Sequence, residues 1–384
     1  MISLLSIRLN KAKGRMDKVK KLVIILFSLL LCGCSHDMNR REIDEINFIH
    51  VMGIDYSEGE YVLTAIYSSS QGADPEKGSA GDEEISEGKG ATPFEAFQNL
   101  KLKNKKSISI ANTGYFLLGE RAAEKGIKIC IDFLSRDETV KMESLLFITR
   151  DMKASDFIAE SIEKGQMVHE DLEAVEQKQK ELITRNDNTL VNILNELENN
   201  MTSGIIPYLI AEENSFLLKG YAVFDKLVLV DYLDMDTSSG INFIKSIIRA
   251  YPIYLENSVG LSISYSKSHM KSELENNQVK VVIHLDFETM VKEISSKKDI
   301  FSADELKSLT EQQNAYIIKI MKKATNYSIS TGIDILQIAR LMQNQHTRKW
   351  SGIEEDWSSM ISEIEYEFDV KSQITKSFIL STGG

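Results

Sequence analysis

The sequence predicts an α+β fold of more than one domain, with mixed or antiparallel sheets and helices packed on them. Three observations carry that expectation. Val279, Val281, Ile283, Leu285 and Phe287 alternate with polar residues, which is the period of a half-buried strand. Residues 303–325 place Leu306, Leu309, Tyr316, Ile317, Ile320, Met321 and Ala324 on one helical stripe. Strand and helix patterns come in clusters rather than in strict βα alternation, which argues against a doubly wound α/β fold. At 384 residues the chain is longer than one ordinary core needs.

The chain opens on a leader. Lys18, Lys20 and Lys21 precede an apolar run at 22–31, followed by Cys32, Gly33 and Cys34. Ten residues make about 15 Å of helix, half a bilayer core, so a permanent span is not expected. Leu31-Cys32-Gly33-Cys34 resembles a lipobox, in which a small residue precedes a cysteine thiol that is alkylated by diacylglycerol. Cleavage is then expected after Gly33, leaving lipidated Cys34 as the first residue. Met16 offers a second start that gives a leader of ordinary length. Residues 34–40 read as lipid anchor and tether.

The body follows. Residues 46–55 and 61–68 read as a hairpin around Ser57-Glu58-Gly59-Glu60. Residues 69–92, rich in Ser, Gly, Asp and Glu, read as a long exposed loop. A helix is expected at 93–103 with Pro93 in its first turn. A strand is expected at 107–118, a helix at 120–134 and a strand at 144–149. Three helical segments are expected between 153 and 200, broken at Gly165 and near Asn186-Asp187-Asn188. Gly204 and Pro207 mark the expected domain boundary, dividing an N-terminal α+β domain at 41–200 from a C-terminal one at 201–384. The latter can be split again into 201–257 and 258–384. Strands at 215–224 and 227–231 flank a turn at Asp225-Lys226. A helix at 332–343 follows the long one. The last strand alternates Ile364, Tyr366, Phe368 and Val370 with Glu363, Glu365, Glu367 and Asp369.

Charge and chemistry narrow the function. The net charge is −12. Residues 1–33 hold seven basic side chains and one acid, so the remainder carries −18. Such a body repels phosphate backbones and anionic lipid, which excludes nucleic acid as a partner and leaves the lipid as the means of attachment. Cys130 stands alone in the body and reads as a small buried hydrophobe. His36, His50, His169, His269, His284 and His346 show no metal-ligand spacing, so no metal is expected; His284 reads as exposed on a strand's polar face. There is no nucleophile elbow, phosphate loop or dinucleotide turn, and neither catalysis nor a cofactor is expected. Glu83-Glu84 and Glu354-Glu355-Asp356 read as solvated, and Gly53-Ile54-Asp55 as a strand end where Asp starts a turn. Trp350 and Trp357, two helical turns apart, read as sharing one face for core or interface packing. No ligand pocket can be read from the sequence, so weak or no binding of small nutrients is expected.

Several segments in order resemble one family. They are the lipobox, Arg40-Arg41-Glu42-Ile43-Asp44-Glu45-Ile46, Val51-Met52-Gly53-Ile54-Asp55, and the stretch from Gly88 to Phe97 as a Gly-rich turn and helix. Leu117-Leu118-Gly119-Glu120 with Ala122, Ala123 and Gly126 follows, then Phe133-Leu134-Ser135-Arg136-Asp137 and Gly220-Tyr221-Ala222-Val223-Phe224. Ile333-Asp334-Ile335-Leu336, Lys349-Trp350 and Asp356-Trp357 complete the series. Together they resemble the Ger(x)C (GerAC-like) spore germination lipoproteins, the C subunits of nutrient germinant receptors. The chain departs from the family at Ser35-His36-Asp37, which lacks a tryptophan. It departs again at Thr113-Gly114, where a histidine is common, and at His346-Thr347-Arg348, where a proline is. The resemblance implies a non-enzymatic subunit held at the membrane by diacylglycerol-modified Cys34, on the extracytoplasmic face of the spore inner membrane. It implies A and B integral-membrane subunits as partners. It also marks Arg41, Glu42, Gly53, Asp55, Arg136, Asp137, Trp350 and Trp357 as structural or partner-contact residues. The alternative is a substrate-binding lipoprotein of a membrane transporter, against which the clustered α+β order speaks.

Overall fold

The computed structural model describes residues 45–68, 83–165, 167–184, 188–198, 203–212, 215–255, 259–276, 278–294 and 302–375. The leader, Gly33, Cys34, Arg41, Glu42 and most of the 69–92 segment lie outside the described residues. Among the described residues no helix is long and apolar enough to cross a membrane.

Ile46–Ser57 (β1) and Glu60–Ser68 (β2) form the expected antiparallel hairpin. Glu83–Gly90 (β3) pairs with β2, so the second half of the expected loop is strand. Its lack of apolar alternation hid it. Gly88 and Gly90 leave room for the helix Pro93–Lys103 (α1) to lie flush on the strand; a Cβ on Gly88 would sit 2.1 Å from the Ala96 carbonyl oxygen. Ser107–Ser109 (β4) and Tyr115–Gly119 (β5) replace the single strand expected at 107–118, with a turn between them. The helix expected at 120–134 is two helices, Glu120–Lys125 (α2) and Lys128–Arg136 (α3), divided at Gly126.

Leu145–Thr149 (β6), Ala154–Glu163 (α4), Val168–Leu182 (α5) and Leu190–Glu198 (α6) fall close to expectation. Gly204–Glu212 (β7), Ser215–Asp225 (β8) and Val228–Tyr232 (β9) then complete a nine-stranded sheet of order β3-β2-β1-β5-β6-β7-β8-β9, with β4 on β1. The turn from β8 to β9 is Lys226-Leu227, one residue later than expected, both at positive φ.

Strands β1, β5, β6 and β7 run parallel, with antiparallel strands at both margins. Parallel strands covered on both faces carry continuous apolar runs, and Leu145–Thr149 is buried throughout. Successive β5 residues serve opposite faces. Phe116 and Leu118 join a core with α1, α2, α3 and α6, and Leu117 joins one with α4 and α5. Each such fully buried side chain contributes about 1.5–3 kcal/mol.

Met235–Ile244 (α7) leads to a second sheet, Pro252–Leu255 (β10), Val259–Glu275 (β11), Gln278–Ile294 (β12) and Glu365–Thr375 (β13), in that order. The last strand is parallel to β12. Ala303–Thr331 (α8) buries Leu309, Ile317, Ile320, Met321 and Ala324 in the core of this sheet. It runs past the expected end at 325 and stops at Gly332, in the left-handed region at φ 68. The following helix, Ile338–Gln345 (α9), starts six residues later than expected. Thr347–Trp350 (α10) and Trp357–Met360 (α11) complete the helical set.

The mixed sheets with packed helices are the α+β architecture that the periodicities predict. The boundary expected at 200/201 does not coincide with a sheet edge: β7, β8 and β9 extend the first sheet, and the change of sheet falls between Tyr232 and Pro252. Gly204 and Pro207 both lie within β7. Both sheets belong to one compact unit that starts at Asn47.

Candidate functional site

Gly53, Ile54 and Asp55 lie inside β1, which runs on to Ser57, so Asp55 does not start a turn. The two-residue period sends Gly53 and Asp55 to one face and Ile54 to the other. On that face lies the N-terminus of α4, whose own cap position, Lys153, makes no side-chain hydrogen bond. Asp55 supplies the missing acceptor. Its Oδ1 accepts the N–H of Ala154 at 2.8 Å and its Oδ2 that of Ser155 at 2.9 Å. Helix starts leave such N–H groups unpaired, and a carboxylate also meets the positive end of the helix dipole.

Space there is tight. A Cβ on Gly119 would lie 2.0 Å from Asp55 Oδ1, and one on Gly53 would lie 3.1 Å from the Ala154 and Ile158 side chains. Burial pushes the Asp55 carboxyl above its usual pKa, the N–H groups of Ser155 and Ala154 pull it back, and nearby Asp156 adds to the rise.

The tryptophans form a second arrangement. They do not share one helix, since the chain turns between α10 and α11. Tertiary packing brings them together instead, edge to face with ring centroids 5.3 Å apart. Trp357 Nε1 donates to Asp334 Oδ2 at 3.3 Å. Asp334 also accepts the N–H groups of Ile338 and Ala339, each at 2.7 Å, capping α9 where Gln337 makes no cap. Burial raises the Asp334 carboxyl above its usual range, against the pull of those N–H groups and the indole. His346 bonds through Nε2 to the Ser272 carbonyl at 2.8 Å and ties α10 to β11.

Glu83 is a third case, and the expectation of a solvated side chain is corrected. Its side chain is 4% exposed. It accepts the Val168 N–H at 3.0 Å and pairs with His169 Nδ1 at 2.9 Å, at the start of α5. Met167, the cap residue there, has no side-chain acceptor role. The Glu83 hydrogen bond raises the His169 pKa, with burial opposing it. Burial and the charge of His169 lower that of His50, whose ring lies 5.6 Å from His169.

Arg136 and Asp137 stand apart from these three. Arg136 Nε pairs with Asp132 Oδ2 at 2.8 Å on the exposed side of α3. Asp137 accepts the Thr139 N–H at 3.0 Å in a local turn. The residues singled out from the sequence therefore occupy separate places: Gly53 and Asp55 against α4, Trp350 and Trp357 in the core of the second sheet, Arg136 and Asp137 at the surface. Sequence reasoning missed Glu83, His169 and Asp334 as a group with Asp55. A signal was present, because Lys153, Met167 and Gln337 are poor caps and their helices need an acceptor from elsewhere.

Cys130 is 1% exposed, and burial pushes its thiol up to about 12, the opposite of an activated nucleophile. His284 is half-buried rather than exposed, paired with Asp369 at 2.9 Å and stacked on His269. Among the described residues no group of three or more His, Cys, Asp or Glu side chains could hold a metal ion.

Two family models match the chain: a spore germination protein N-terminal domain over residues 39–211, and a spore germination B3/GerAC-like C-terminal domain over residues 219–377. The spore germination protein GerQC of Bacillus cereus is 20% identical over 363 residues, which cover 93% of this chain and 98% of that protein. The crystal structure of the GerBC protein shares the fold, with a TM-score of 0.55 and 17% identity over 84% of this chain and 96% of that one.

Proposed function

We propose, from the premise that this chain belongs to the GerAC-like family of spore germination proteins, that it acts as a non-enzymatic, lipid-anchored C subunit docked on the integral-membrane subunits of a germinant receptor. The observation that carries this reading is the succession of the two family domains, which together run from residue 39 to residue 377 with a short gap.

Residues 1–33 are removed in this reading, Cys34 carries diacylglycerol, and residues 34–40 tether the body. Two acyl chains suffice for durable anchoring, at about 0.8 kcal/mol for each buried CH₂. The anchor holds the acidic body near its A and B partners and raises their effective concentration. The buried acids have structural work in this scheme: Asp55, Glu83 and Asp334 each cap a helix. Gly53 makes room for α4, and Trp350 and Trp357 hold the second core. Arg136, which is exposed, and Asp137, which is half-buried, are bonded only to neighbours on the chain in the contacts above and are the partner-contact candidates.

The test is a pull-down of the full-length lipoprotein from forespore membranes in mild detergent. Two integral-membrane proteins, one of them permease-like, are expected to accompany it. Recovery of the lipoprotein without either overturns the proposal.

A further inference from the structure

Basic side chains gather at one end of the first sheet. No Asp or Glu occurs between Glu95 and Glu120, in a chain that holds 57 of them among 384 residues. Within that stretch stand Lys101, Lys103, Lys105 and Lys106, from the last turn of α1 to the residue before β4. Lys103 and Lys105 are exposed, and Lys101 and Lys106 are half-buried. Among them Leu102 is 83% exposed, more than any other large apolar side chain among the described residues. Acids on β3 offset part of this charge. Lys103 Nζ donates to the Glu87 backbone carbonyl at 2.9 Å, while the Glu87 carboxylate pairs with Lys89. Glu84 is exposed beside Tyr67.

The patch lies where the chain enters the body. The compact unit begins at Asn47. Ile49 pairs with Tyr67, whose hydroxyl donates to Asn104 Oδ1 at 2.9 Å, and Asn104 is the residue that ends α1. Strand β4, directly after Lys106, pairs with β1. Thirteen peptide bonds separate Cys34 from Asn47, a reach of at most about 45 Å. A lipid on Cys34 therefore keeps this end of the sheet near the bilayer. The acidic body as a whole repels anionic lipid, but at physiological ionic strength a charge is felt over only about 8 Å. At contact the side chains of this end decide, and clustered lysines are drawn to anionic headgroups.

We propose that this end of the first sheet is a face for anionic lipid, with the four lysines on the headgroups and Leu102 entering the interface between them. Lysines flanking an exposed apolar side chain are the chemistry of interfacial binding. One leucine does not hold a protein on a bilayer; the face orients a body that the anchor retains. The inference rests on the anchored reading and adds to it a surface and a lipid class.

The experiment uses the full-length lipoprotein added to preformed vesicles of phosphatidylcholine, alone or mixed in equal parts with phosphatidylglycerol. Leu102→Cys carries a nitrobenzoxadiazole label, itself apolar, at a position whose exposure spares the fold; Cys130 is too buried to react. On the mixed vesicles the emission is expected to shift to the blue and the label to resist reduction by dithionite. On phosphatidylcholine alone neither is expected. Lys103→Gln with Lys105→Gln is expected to weaken both signals, and Gln at all four lysine positions to abolish them. Circular dichroism establishes folding; if the fourfold variant does not fold, the double variant decides. Equal signals on the two lipids overturn the proposal, as do signals unchanged in the Gln variants. A label protected only when copurified membrane proteins are present, on either lipid, assigns the patch to a protein partner and overturns it too. Flotation in 1 M salt, where the screening length is about 3 Å, reads the anchor separately. A chain that stays on the mixed vesicles with an unshifted label refutes the lipid face alone. One that leaves them in high salt, yet shows the shifted label in low salt, refutes the anchor and upholds the face.

Discussion

Asp55 and Ala154 are 99 residues apart in the chain, and the carboxylate of the first accepts the backbone N–H of the second at 2.8 Å. A strand of the first sheet thereby caps a helix lying on its face. Glu83 repeats the device 85 residues from Val168. These contacts couple the order of the sheet to the order of two helices.

Asp55→Ala leaves two buried helical N–H groups without an acceptor. We expect a loss of about 2–3 kcal/mol, and a smaller one for Asp55→Asn, whose amide oxygen keeps one acceptor. Gly119→Ala drives a methyl against the same carboxylate and should cost about 1–3 kcal/mol. In an Asp55→Ala background the Gly119→Ala change should cost less, because the obstructing oxygen is gone. Urea unfolding of the four proteins measures the coupling; strict additivity would remove the contact from the account.

The Glu83–His169 pair carries a pH signature. His169 has its pKa raised above 6.5 in the folded chain, so its contribution is fully present below that value and is lost as pH rises through the folded pKa. His50 runs the other way, since its pKa is lowered: its contribution is present above 6.5 and is lost as pH falls through the folded value. Glu83, Glu170 and Glu173 act on His169, and His50 lies beside it. The stability difference between the wild type and His169→Gln should therefore be larger near about pH 5.5 than near about pH 9. Melting curves showing a constant difference across that range contradict the pair.

The chain has two tryptophans, and both lie in the Asp334 cluster, so tryptophan emission excited apart from the tyrosines reports on that cluster alone. Asp334→Ala removes the α9 cap and the acceptor for the Trp357 indole, and should destabilise by about 3–5 kcal/mol. Asp334→Asn should cost less and shift the emission to the red as the indole loosens. An unshifted emission maximum in a destabilised Asp334→Asn would show that the indole bond does not hold the ring.

Cys34→Ala should yield a folded but mislocalised chain. Globomycin, which blocks lipoprotein signal peptidase, should leave the wild type uncleaved. Mass spectrometry of the mature wild-type chain is the direct check: a free Cys34 thiol would refute the anchor.

Much of the local structure was legible in the residues, for definable reasons. The alternation of Val279 to Phe287 and the stripe of α8 each state a period that matches one element and one buried face. Pro93 announced the start of α1. Segments lacking such a signal were misread. The strand at 83–90 has no apolar alternation, because it is an edge strand whose glycines yield space to a helix. The two helices between Glu120 and Arg136 read as one, because the break at Gly126 leaves the apolar spacing intact.

The sequence by itself determined the α+β class, the positions of most elements and the family resemblance. Periodicity and short motifs are local properties that the order of residues carries without help. Only the tertiary structure decided that Asp55, Glu83 and Asp334 are buried caps and that Trp350 meets Trp357 across two short helices. Each of these depends on segments distant in sequence meeting in space, and whether a carboxylate is solvated or buried is set by the neighbour it meets rather than by the residues beside it.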